Sequence, residues 1–140
     1  MKYLLTARAA AHGMLLILSL IVLFHLLILT GVIPFAIVWG GRLKSHQQML
    51  SFETVSIGLN LLMLAVVALA AGRLRLRVNS RLITGALWLM TALFLANTVG
   101  NLLARTALEQ LVFTPLTLLL AVFSFRLAMD RKKITVPASA

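Results

Sequence analysis

The sequence predicts an all-α polytopic membrane protein, an antiparallel four-transmembrane-helix bundle with both termini in the cytoplasm, and three observations predict it. The 140-residue chain is 61% hydrophobic and only 11% charged. Its apolar residues gather in four long runs, each near the roughly 20 residues that cross a hydrocarbon core as a helix. Its basic residues fall mainly on one side of the resulting topology, as they do when short cytoplasmic loops carry the Lys and Arg. About 85 apolar residues are close to what four crossings use, so only tails and short loops remain, and the whole chain, 1–140, reads as one transmembrane domain. A soluble domain this small buries only about two-thirds of its surface and has nowhere to put so much apolar area. The composition therefore excludes a soluble enzyme, a nucleotide-binding fold and a DNA-binding module, even with a formal net charge of +10.

The first crossing is expected over about 13–33. Lys2 and Arg8 precede it in the manner of a signal peptide, but a secretory core has about 7–15 apolar residues; this run is longer and reads as an uncleaved signal anchor. Gly31 and Pro34 end the helix, which leaves Phe35 to Trp39 at the interface, with Trp39 in the aromatic belt. The second crossing is expected over about 52–71, the third over 82–103 and the fourth over 107–129, followed by a short disordered tail, 134–140. Connections this short make consecutive helices antiparallel neighbours.

Lys2 and Arg8, then Arg73, Arg75, Arg77 and Arg81 in the basic 72–81 loop, then Arg126, Arg131, Lys132 and Lys133, put ten of the 13 basic residues on one side. Arg42, Lys44 and Arg105 are on the other. That bias predicts an N-in, C-in protein of the bacterial inner membrane. Its first partner is then the lipid bilayer, whose anionic headgroups would meet Arg73, Arg75, Arg77 and Arg81 at about 1 kcal/mol per basic residue. A nucleic-acid role for the Arg-Leu alternation is not needed to explain it.

The chain has no cysteine, which excludes thiol–disulfide chemistry, Cys-ligated zinc or iron–sulfur centres and c-type haem attachment. His12, His25 and His46 lie at three different depths, so no metal set converges, and no cofactor is expected.

Polar groups inside a membrane are costly and face the protein interior or a cavity, so their positions locate a candidate site. Glu53, Ser56 and Asn60 share one face of the second helix. Asn97 and Asn101 share a face of the third, with Arg105 continuing the row. On the fourth, Thr114, Thr117, Ala121, Ser124 and Ala128 form a seam of small and polar residues. At about 1.5 Å per residue, Asn60, Asn97 and Thr114 reach similar depths in the outer half, with Asn101, Glu53, Glu109, Arg105 and Arg42 above them.

Two readings follow. In one, Glu53, Asn60, Asn97, Asn101, Arg105, Glu109 and Arg42 line an outward-facing pocket for a small polar ligand or ion. In the other, the asparagines bond across helices as a structural plug, while Glu53 and Glu109 pair with Arg42 and Arg105 at the surface. Glu109 stands three residues after Thr106 in a capping-box pattern; Glu53 has the weaker cap, Ser51, and is the preferred functional carboxylate. His25, counted from the start of the first apolar run, falls near the midplane, where it would donate to a backbone carbonyl, Asn60 or Thr30, or serve a proton relay. Ala92, Ala96, Gly100 and Ala104 recur every fourth residue, a pattern that lets helix backbones approach; packing within the bundle is the expected use and homodimerisation the alternative.

The stretches Trp39-Gly40-Gly41-Arg42-Leu43-Lys44, Asn97-Thr98-Val99-Gly100-Asn101-Leu102 and Phe113-Thr114-Pro115-Leu116-Thr117 resemble motifs of a family of small bacterial four-helix integral membrane proteins of uncharacterised function. The resemblance spans about Gly31 to Ala128 and implies no activity. It does imply that the Trp-Gly-Gly-Arg segment and the Asn-rich end of the third helix act together. Small multidrug-resistance transporters carry a glutamate in the first helix that is missing here, and the motifs of fluoride channels are missing as well. Without a close His–carboxylate or Ser–His spacing the sequence reads as no enzyme; a pocket joining His25, Glu53 and Asn60 would reopen that question. The expected function is binding or transport at the outer pocket, with a non-catalytic accessory or interaction protein as the alternative.

Overall fold

The computed structural model describes residues 4–135, and side chains through Arg131. It is helical, with no strand among the described residues, and four of its helices are long and apolar enough to cross a membrane. They are α1 (Ala7–Leu29), α2 (His46–Ala70), α3 (Ser80–Leu102) and α4 (Thr114–Thr135), the last entered through a wide turn at Glu109–Phe113.

Caps explain why the helices begin where they do. The Thr6 hydroxyl accepts the N–H of Ala9 at 3.1 Å, so α1 starts six residues before the expected boundary. Ser45 accepts the N–H of Gln48 at 3.2 Å and starts α2 at His46 instead of position 52. The Asn79 side chain accepts from the Arg81 N–H at 2.9 Å and opens α3. A hydroxyl or amide that satisfies the first orphan N–H groups fixes a helix start wherever it falls, and here each falls before the apolar run. At the other end of the chain α4 continues to Thr135, into the expected tail, whose remaining residues lie outside those described.

The wide turn has a chemical cause. Pro115 has no N–H to give the carbonyl four residues back and crowds it, and the turn before it widens so that the Thr114 N–H bonds Glu109 O instead. Such π-type turns re-aim the side chains they contain, and this one contains Glu109.

Helix α3 packs along α4, α1 along α2, and α1 also along α4, whereas α2 and α3 meet only sparsely. The pairs are antiparallel: His12 lies against Arg73 and His25 against Glu53, while Thr91 meets Ser124 and Thr98 meets Thr117. The apolar core includes Met14, Leu18, Leu87, Leu120 and Ala128, all fully buried. Beside it the α4 seam is real: Thr117, Ala121, Ser124 and Ala128 are all buried. The Thr91 hydroxyl donates to Ser124 at 3.1 Å and Thr98 to Thr117 at 3.0 Å. These bonds hold α3 to α4 without a hydrophobic driving force between them.

The small-residue row departs from expectation. Ala92, Ala96 and Gly100 are exposed and only Ala104 is buried, because α3 turns a different stripe, Leu87, Thr91, Phe94 and Thr98, inward. The row does not pack the chain's own helices together.

Where α1 meets α4, Gly13 makes room for a ring: a Cβ there would sit 2.5 Å from Phe123 Cε2. Overpacking of this kind costs about 1–3 kcal/mol. Gly13→Val should therefore lower the unfolding temperature in detergent clearly, whereas Gly58→Val, where nothing lies within 4 Å, should leave it nearly unchanged; equal effects would contradict this helix contact.

Candidate functional site

The connection between α1 and α2 turns back onto the helices instead of lying flat at an interface. Trp39, Gly40 and Gly41 all have positive φ, at 56°, 67° and 70°, so three consecutive residues adopt the left-handed conformation and reverse the chain. Glycine takes this conformation freely; Trp39 does so at a cost of about 1–2 kcal/mol. Two buried carboxylates hold the turn there.

Glu53, fully buried, is the first. The Trp39 indole Nε1–H donates to Glu53 Oε1 at 2.7 Å, and His25 Nδ1 meets Glu53 Oε2 at 2.5 Å. With a proton on Nδ1 the ring donates to the carboxylate and leaves Nε2 as its second polar atom. Starting at His46, α2 carries Glu53 two turns into the helix, so the carboxylate is neither an N-cap nor a surface group. His25, in turn, lies one turn from the end of α1 and not at its middle. The Trp39 ring also lies against Phe52, with centroids 5.0 Å apart. Trp39 thus serves the interior and not an aromatic belt.

Glu109 is the second carboxylate, 9% exposed. It accepts the Gly40 backbone N–H on both oxygens, at 2.9 and 2.8 Å, and the Thr106 hydroxyl at 2.7 Å. The Thr106–Glu109 pair read from the sequence is present, with the Glu109 N–H 3.4 Å from Thr106 Oγ1. Its carboxylate, however, reaches across the fold to the Trp-Gly-Gly turn. Charge-assisted bonds of this kind are roughly twice as strong as neutral ones, and a buried carboxylate needs them.

Beneath the turn lies a cavity of about 350 Å³. Val38, Trp39 and Glu109 line it near the turn, His25, Ser56, Asn60, Asn97, Asn101 and Thr117 supply polar atoms, and Ile21, Met63, Leu93, Phe94 and Leu120 form apolar walls. It lies where α2 and α3 meet sparsely: Leu59 and Leu93 line it and are 51% and 43% exposed, and Asn97 lines it and is exposed as well. Those residues place an opening between the two helices. All three motif stretches meet at this cavity, through Trp39, through Asn97 and Asn101, and through Phe113 and Thr117.

Of the three asparagines expected to bond across helices, Asn101 alone does so among the described residues. Asn60 donates to the Ser56 carbonyl of its own helix at 2.8 Å, Asn101 donates to Thr117 at 3.3 Å, and Asn97 has no hydrogen-bond partner among the described residues. Arg42 and Arg105 are exposed, pair with neither glutamate and do not line the cavity. Of the seven residues expected to form the site, Asn60, Asn97, Asn101 and Glu109 line the cavity, and Glu53 supports it from behind through His25. The sequence reading missed the His25–Glu53 pair and the inward turn of Trp39; the tandem glycines after Trp39 were the available signal. No group of three or more metal-ligating side chains occurs among the described residues.

Removing the indole donor leaves a buried carboxylate oxygen unpaired, which costs about 1–3 kcal/mol or more. A double-mutant cycle of Trp39→Phe and Glu53→Ala, followed by unfolding in detergent, should give a coupling of at least about 1 kcal/mol; additive effects would show that the clasp is not formed. Compared with known proteins, the chain matches no family model, no curated protein and no solved structure.

Proposed function

We propose that this is a multi-pass inner-membrane binding protein, its termini in the cytoplasm, whose cavity receives a small molecule with a hydrogen-bonding end and an apolar remainder. The observation that carries the reading is Asn97. A carboxamide with no partner in a membrane-spanning helix is costly, and this one lines a cavity beside Asn60, Asn101 and His25. A ligand that supplied the missing bonds would remove that cost. The apolar walls favour a ligand that arrives from the lipid between α2 and α3. Both carboxylates already hold donors and neither arginine faces the cavity, so a neutral polar group fits better than an ion.

Binding is favoured over transport because the fully buried Met14, Leu18, Leu87 and Val67 close the interior beyond the cavity, and the buried Thr91 and Ser124 hydroxyls at that level are bonded to each other. It is favoured over catalysis as well. His25 and Glu53 are joined, and His25 and Asn60 share the cavity, but no hydroxyl is hydrogen-bonded to the ring among the described residues. One observation favours a second reading, an accessory protein or homodimer: the exposed Ala92, Ala96 and Gly100 face suits close approach of another helix.

The test is Asn97→Leu. Because the Asn97 side chain makes no hydrogen bond among the described residues, the substitution should leave the unfolding temperature unchanged or raise it. Native mass spectrometry of protein extracted with its membrane lipids should find a small molecule retained by the wild type and lost by the variant. A destabilised variant, or the absence of any retained molecule from both, would contradict the proposal.

A further inference from the structure

The opposite end of the molecule holds a second cavity, of about 480 Å³, where the start of α1 meets the ends of α2 and α4. Arg8, His12, Arg73 and Arg131 line it, with Asp130 as the one acidic neighbour. Asp130 is already paired with Arg126 at 3.3 Å. Arg73 leaves the run of the basic loop and reaches back to α1, where its Nη2 donates to His12 Nε2 at 2.6 Å. The imidazole, accepting through Nε2, thus holds the Arg73 guanidinium at the cavity with its charge and its remaining N–H groups available to an anion. Arg131 is held in place as well, its Nη2 donating to the Ser80 hydroxyl at 3.1 Å. Alanines do the rest: Ala11, Ala70 and Ala71 line the space and keep it open, and Ala7 and Arg8 bring the start of α1, the positive end of its dipole, beside it.

We propose that this cavity binds a phosphate group, carried either by a membrane lipid or by a free phosphate. Guanidinium groups match phosphate oxygens in geometry and charge, and basic pockets between helices at a membrane face suit phosphate headgroups. The site is independent of the cavity under Trp39. Arg8 and Arg73 are its ligands, whereas Arg75 and Arg77 carry equal charge in the same loop but do not line the cavity.

The experiment measures binding of dihexanoyl phosphatidic acid and of inorganic phosphate to the full chain in neutral detergent. The wild type should bind at least one probe. The double variant Arg8→Gln, Arg73→Gln should bind at least about tenfold more weakly, and Arg75→Gln, Arg77→Gln, with the same charge change, should stay within about twofold. Ala71→Leu, which fills the cavity without altering charge, should also lose binding and decides the matter if the arginine variant does not fold. Binding of the lipid alone identifies a headgroup site, and equal binding of inorganic phosphate identifies a site for free phosphate. Equal losses in the two arginine variants, unchanged binding by Ala71→Leu, or no binding of either probe to the wild type would overturn the proposal.

Discussion

Two carboxylates buried among apolar helices must be given hydrogen-bond donors, and much of this structure follows from how the chain supplies them. Glu53 on α2 takes the Trp39 indole and the His25 ring; Glu109, before α4, takes the Gly40 N–H and the Thr106 hydroxyl. One short turn therefore ties α1, α2 and the entry to α4 together. Without the acids there would be no reason for three residues to take the left-handed conformation, and without the tandem glycines the turn could not reach both acids. The wide turn that Pro115 imposes completes the arrangement, because it contains Glu109.

The clasp also shapes the cavity. Drawing the turn inward places Val38 and Trp39 over a space that His25, Asn60, Asn97 and Asn101 line. α1 is fastened to α2 through His25 and Glu53, and α3 to α4 through hydroxyl pairs, while α2 and α3 meet sparsely. The side that is not fastened is the side on which Asn97 stands without a partner. Rigid walls around a polar group with unmet bonding capacity are what a binding site requires.

The four helices long and apolar enough to cross a membrane were legible from hydropathy alone, because in lipid backbone groups must bond within each apolar run. The gathering of Asn60, Asn97, Asn101 and Glu109 was legible too, from helical spacing and depth. The depths of Glu53 and His25 were not legible for one reason: Ser45 and Thr6 cap their helices well before the apolar runs begin. Moving the start of α2 from 52 to His46 takes Glu53 about 9 Å deeper and brings it to His25. The direction of Trp39 was not legible from its own position, since an indole at a membrane interface and one turned inward have the same local sequence. It depends on two acids far along the chain, and the Thr106–Glu109 spacing gave that acid a sufficient local explanation. The outward face of Ala92, Ala96 and Gly100 likewise depends on which stripe of α3 the α4 hydroxyls select.

The central claim is that Trp39 is held inward by Glu53, and the two tryptophans of this chain allow it to be tested in one spectrum. Trp88 is 38% exposed, and its indole has no hydrogen-bond partner among the described residues, so it serves as the internal reference. Two-dimensional nitrogen–proton NMR of the protein in lipid nanodiscs should show one indole signal shifted downfield relative to the other, lost in Trp39→Phe and moved to the reference position in Glu53→Ala. Two similar indole signals, or a Trp39 signal indifferent to Glu53→Ala, would contradict the account.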